Sequence, residues 1–204
     1  MKKLMVIIVV LLMGATASFA QSRLEQGVNE EMNLARTKPR LYAEYVKEFR
    51  TLYKGNRIYL PGSNVRIPTV EGVSAVDEAV RFLLKQKPLA PFEFSRGLSE
   101  AAADLVADQS SSGDTGHNGR LSGSMSQRIE RHGQWRGSIG ENIGYGYDNP
   151  RWVVIQLIVD DGVRNRGHRK NIFKPDFRRA GVACGSHPEY TAMCVTDFAE
   201  GFSR

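Results

Sequence analysis

Cysteine is scarce. Two residues in 204, Cys184 and Cys194, exclude a disulfide-dense miniature scaffold, and without a CxxC spacing or a nearby pair of histidines they do not make a structural zinc site. Long apolar runs are scarce too: the one that stands out reaches from Leu4 to Met13, short of the about 18–20 residues that a spanning helix needs. No HExxH and no GxSxG occurs, and the glycines of Gly140, Gly144 and Gly146 have neither the Walker nor the dinucleotide spacing. Internal repeats, low-complexity tracts and linkers are absent, so the chain reads as one domain.

Apolar residues make up 41% and charged residues 25%, a balance that suits a soluble globular domain with a sizeable core. The first twenty residues have the three parts of a cleavable secretory signal: Lys2 and Lys3, the apolar run, and the small-residue stretch ending at Ala20. Cleavage there defines a mature domain over 21–204 and places the protein in a periplasm or outside the cell; no membrane-spanning segment is expected after it. The leader carries two lysines and no acid, so 28 basic and 22 acidic groups become 26 and 22, a net +4. Nucleic acid is therefore not indicated as a partner.

Export permits a disulfide. Cys184 and Cys194 flank a turn at 186–189, and two strands around it would set their Cβ atoms opposite each other. Two buried free thiols are the alternative. Apolar spacing predicts a helix from Leu24 to Thr37, a second starting at Pro39, a third over 73–85, a fourth over 98–109 stopped by Gly113, and a fifth from Pro150 to Gly162 with Asn149 as cap. Residues 51–69, punctuated by Gly55, Pro61, Gly62 and Pro68, read as an irregular excursion, and 164–171 as a basic loop able to meet a polyanion or simply to stay solvated.

Four histidines occur, two of them in glycine-flanked loops: Gly116-His117-Asn118 and Gly167-His168-Arg169. Glu141 lies between them in sequence, and Asp160 and Asp161 precede His168 at a helix end. Two imidazoles with carboxylates suit a divalent cation such as zinc, the acids fixing the ring tautomers. They equally suit general acid and base work, because imidazole titrates near neutral pH. The bland alternatives are loop histidines satisfied locally and a Glu141 that holds a turn by accepting backbone N–H bonds. His132 and His187 read as structural or surface residues. A serine nucleophile at Ser110 to Ser112 lacks the framing motif of a covalent hydrolase.

The series Gly116-His117-Asn118, Gly140-Glu141-Asn142-Ile143 and Arg166-Gly-His168-Arg-Lys-Asn-Ile172, closed by Thr196-Asp-Phe-Ala199, resembles the bacterial branch of the CAP superfamily, or SCP domain, which includes cysteine-rich secretory, antigen 5 and pathogenesis-related proteins. The likeness runs from about Glu25 to the C-terminus, interrupted at 51–69. It implies an α+β fold, a three-layer α-β-α sandwich around a small mixed or antiparallel sheet. It also implies a cleft tetrad of two histidines and two acids, carried here by His117, Glu141, Asp160 and His168, with His117 and His168 as the metal-binding pair. The second acid is usually a glutamate; Asp160, with Asp161 next to it, is one methylene shorter, which tells against direct ligation. The resemblance further implies a lipid, sterol or cell-envelope ligand. A metal- or histidine-dependent hydrolase of peptide or glycan bonds is the competing reading, with Glu141 and His168 as its candidate catalytic residues.

Overall fold

The computed structural model describes residues 23–62, 64 and 66–204, and the leader with its cleavage site lies outside the described residues. Helix α1 runs over 23–37 and stops because Lys38 precedes a proline, which disfavours the helical region; Lys38 adopts φ −133° and ψ 59° instead. Pro39 then opens α2 (Pro39–Arg50), whose buried Tyr42, Ala43, Val46 and Phe49 follow the helical period.

The excursion over 51–69 is more regular than its sequence suggests. Three strands, β1 (Tyr53–Lys54), β2 (Arg57–Tyr59) and β3 (Arg66–Pro68), pair antiparallel in the order β1-β2-β3. Strands of two or three residues cannot display a period, and Gly55, at φ 60°, supplies the left-handed turn between the first two.

Helix α3 (Val73–Lys85) falls where the spacing predicts. Strand β4 (Glu93–Phe94) leads into α4 (Arg96–Ser112), which Ser95 caps and Gly113 ends in the left-handed region at φ 73°. Strand β4 was not anticipated, nor were α5 (Met125–His132) and β5 (Gln134–Tyr145). Helix α6 (Pro150–Val159) is capped by the Asn149 side chain but ends earlier than Gly162. The expected basic loop holds a short helix, α7 (Gly167–Ile172).

Strands β6 (Arg179–His187) and β7 (Thr191–Ser203) form the long hairpin. Cys184 faces Cys194 in register and the two are disulfide-bonded. The turn, at 188–190, starts two residues later than expected, because β6 continues through His187.

The main sheet has the order β4-β6-β7-β5, with β4 parallel to β6 and the other pairs antiparallel. Its two faces are covered by different helices. On one, Leu98, Ala102, Leu105 and Ile129 of α4 and α5 meet Ile143, Ala183, Val195 and Ala199. On the other, residues of α1, α2, α3, α6 and α7 bury against Ala180, Val182 and Phe198. The result is the three-layer sandwich, each fully buried Leu, Ile or Phe contributing about 1.5–3 kcal/mol. Close packing of α4 on β6 depends on Gly181, since a Cβ there would stand 2.1 Å from the backbone nitrogen of Ser99.

Among the described residues no helix is long and apolar enough to cross a membrane.

Candidate functional site

Glu141 projects from β5 toward the α4/α5 layer, and its side chain is almost fully buried. Its two oxygens are used separately. Oε1 accepts from the His117 imidazole, with Nδ1 at 2.8 Å, and Oε2 accepts from the guanidinium of Arg128 on α5. Arg128 is itself fully buried and donates Nη1 to the carbonyls of Gly123 (2.6 Å) and His117 (3.2 Å). The loop before His117 is fixed by a second set of bonds. The Tyr145 hydroxyl accepts from Gly116 N at 3.0 Å and donates to Gln109 Oε1 at 2.9 Å, while Gln109 Nε2 donates to Gly116 O at 2.6 Å. Glu141 therefore holds an imidazole and a guanidinium, and no backbone turn.

Across the strand pair, Asp197 stands in register with Glu141. It is fully buried, and neither carboxyl oxygen has a hydrogen-bond partner among the described residues. Burial, reinforced by the charge of Glu141, pushes its pKa well above the usual carboxylate range despite the nearby Arg128. The two carboxyls thus lie side by side in the sheet with the buried guanidinium of Arg128 as their neighbouring cation.

The second imidazole is held at the other helix layer. Asp160 ends α6 in the left-handed region, at φ 57° and ψ 44°. That turn aims its carboxylate at the start of α7: Oδ1 lies 2.6 Å from His168 Nδ1, and Oδ2 accepts from the backbone N–H of His168 at 2.9 Å and of Arg169 at 3.4 Å. All these contacts are to donors on α7, which accords with a positioning role for this shorter acid.

Two asparagines join the halves. Asn142, next to Glu141 on β5, donates to the His168 carbonyl at 3.0 Å. Asn171, on α7, donates to Glu141 O at 3.2 Å and to Asn142 Oδ1 at 2.9 Å. The segment Gly140 to Ile143 thus carries Glu141 on one face of the sheet and ties down the His168 helix from the other.

Some expected participants are engaged elsewhere. Asp161 accepts from the backbone N–H of Val70 and Glu71, at 2.6 and 2.8 Å, and so tethers the chain entering α3. Half of the basic run is paired internally: Arg166 binds Glu71 and Glu78, and Arg169 is buried and bound to Glu78 and to the carbonyls of Ile158 and Val159, while Arg164 and Lys170 are exposed. Ser110 and Ser111 donate to the carbonyls of Ser186 and Ala107, and the Ser112 hydroxyl accepts from Asp114 N. None of the three meets a histidine. His132 binds Asp104, and His187 is buried with Nε2 3.0 Å from Asp114 O.

Arg128 and Asp197 escaped the sequence reading, and so did the clamping role of Asn142 and Asn171. For Arg128 a signal existed: Ser124 and Gln127 form a capping box that marks the start of α5.

The two held imidazoles thus lie on either side of a glycine-rich edge strand. The model of the cysteine-rich secretory protein family, CAP, matches residues 33–198, and the chain belongs to that family. No curated protein sequence matches it. Among solved structures, an extracellular protein containing an SCP domain from Bacillus anthracis is similar at 18% identity and TM-score 0.46, over 59% of this chain and 36% of that one. An outer surface protein from Borrelia burgdorferi is similar at 16% identity and TM-score 0.45, over 62% of this chain and 89% of that one. A cysteine-rich secretory protein from Staphylococcus aureus is similar at 14% identity and TM-score 0.41, over 70% of this chain and 44% of that one. The chain thus spans about a third of the length of the Bacillus protein and under half that of the Staphylococcus protein.

Proposed function

We propose that this CAP domain works outside the cytoplasm as a binding module: the imidazoles of His117 and His168 take a divalent cation, and an adjoining part of the domain holds an apolar or cell-envelope ligand. One observation carries the reading. Each ring is held through Nδ1 by a buried carboxylate, at 2.8 and 2.6 Å, and each Nε2 has no partner among the described residues. A carboxylate that accepts from Nδ1–H fixes the tautomer, orients the ring and makes Nε2 a better donor to metal. Zinc bonds imidazole nitrogen at about 2.0–2.1 Å.

Among the described residues no group of three or more His, Cys, Asp and Glu is placed to hold a metal ion. On this reading the protein would contribute the two imidazoles, with water or ligand completing the coordination. The cation would supply a Lewis acid at the cleft; Glu141 and Asp160 orient its ligands.

Titration calorimetry with Zn²⁺ tests this. One ion per chain is expected, lost in His117→Ala and in His168→Ala alike, with affinity reduced about 10–100-fold in Glu141→Gln and Asp160→Asn. Equal heats from wild type and both alanine variants would sink the reading. Export is checked by sequencing the N-terminus of protein recovered from a secreting host, which should begin at Gln21.

With the three helix-end serines bonded away from His117, a hydrolase in this cleft would have to activate water. Turnover of peptidoglycan or casein that disappears in Glu141→Gln would establish it.

A further inference from the structure

A chamber of about 300 Å³ lies between the small β1-β2-β3 sheet and α6, with His168 in its wall. Phe49, Ile58, Ile67, Ile143 and Leu157 give it an apolar lining, and Val70, 76% exposed, stands at its edge. A volume of this size is at the small end of ligand pockets, room for a body of roughly ten carbons.

Two buried polar atoms in the lining have no hydrogen-bond partner among the described residues: Thr69 Oγ1 and Gln156 Oε1. The orientation of Gln156 is set, because its Nε2 donates to Tyr145 O at 3.1 Å, which leaves the carbonyl oxygen as the free end. A buried acceptor left unpaired is costly, so a partner that donates to it is favoured. The phenols of Tyr53 and Tyr147 also line the chamber and stay neutral: burial pushes Tyr147 up to about 12 and Tyr53 higher still.

Charge narrows the class of occupant. Among the described residues the lining includes the carboxylates of Asp160 and Asp161 and no Lys or Arg. An anionic head would meet those carboxylates without a free cation beside them, since His168, the basic side chain in the wall, is already bonded to Asp160. A neutral donor would meet two waiting oxygens.

We propose that this chamber binds a small neutral amphiphile, its apolar body against Phe49, Ile58 and Leu157 and its hydroxyl or amide donor on the oxygens of Gln156 and Thr69. The proposal rests on the reading that the domain holds an apolar ligand, and gives that ligand a place, a size and a charge. It does not need the cation.

The test uses the chelator-treated mature chain and three ten-carbon probes, 1-decanol, decanamide and decanoate, followed by saturation-transfer NMR and calorimetry at neutral pH. The alcohol and the amide bind, and decanoate binds at least tenfold more weakly. Gln156→Leu and Thr69→Val each weaken the alcohol and amide about tenfold. Ile67→Trp, on the outlying sheet, fills the chamber and expels both while the far-ultraviolet circular dichroism is kept. Decanoate binding as tightly as decanol, indifference of the alcohol and amide to both polar variants, or no binding of any probe would each overturn the proposal, the last meaning that only water occupies the chamber. Zinc titration on the same preparations separates the readings: probe binding without zinc binding removes the cation site alone, and zinc binding without probe binding removes the chamber alone.

Discussion

Glu141 on β5 stands opposite Asp197 on β7, and the two buried carboxyls face one guanidinium, that of Arg128. Because burial and the charge of Glu141 raise the pKa of Asp197, the folded chain keeps a proton that the unfolded chain releases above about pH 4. The unfolded state then binds fewer protons than the native one, so this group lowers stability as pH rises from that point. Asp197→Asn abolishes the effect. Denaturation curves from pH 4 to 9 should show the variant gaining on wild type steadily toward alkaline pH; parallel curves would mean that Asp197 titrates normally.

Arg128→Met tests the same cluster from the cation side. It leaves Glu141 buried without its guanidinium and strips the carbonyls of Gly123 and His117 of their donor. Breaking a buried pair this way costs about 3–5 kcal/mol in urea unfolding. Adding Glu141→Gln to it should recover part of that loss, since the double variant no longer buries an uncompensated charge.

Glu71 gives the opposite pH dependence. Its hydrogen bonds from Arg166, and next from Gly162 N, hold its carboxyl at about 2. A lowered acid stabilises above its unfolded value near 4.5 and loses that contribution as pH falls toward 2. Glu71→Gln should flatten the acid limb of the stability curve. At pH 7 the loss stays below about 1 kcal/mol, because the pair is solvent-screened.

The disulfide closes a loop of ten residues, which the chain-entropy account values at roughly 2–3 kcal/mol. Reduction, or Cys184→Ala with Cys194→Ala, should lower the melting temperature by about 5–10 °C. An unchanged melting curve after full reduction would show that the bridge adds no stability.

Elements with strong local punctuation were legible in the sequence. Helix α3 has its apolar period, α4 its Gly113, α6 its Asn149-Pro150 start, and the cysteine spacing located the hairpin. The three site motifs supplied both His–acid pairs. Strand β5 was not legible, because Gln134–Tyr145 is rich in glycine, carries a register shift between Arg136 and Ile139, and is buried on both faces over its second half, so it shows no alternation. Helix α5 has only Met125 and Ile129 as apolar anchors, and its importance lies in a buried arginine. The Asp197 partnership is a cross-strand register, a long-range relation that no local spacing reports.

Asp160 both terminates α6 and grips the His168 ring. Lengthening that helix by a single residue would carry the carboxylate about 100° around the axis and away from the imidazole. In this fold the count of residues in a structural helix is thus a chemical variable, and insertions near 160 should be felt first as a mis-aimed ring, before any loss of the core beneath it.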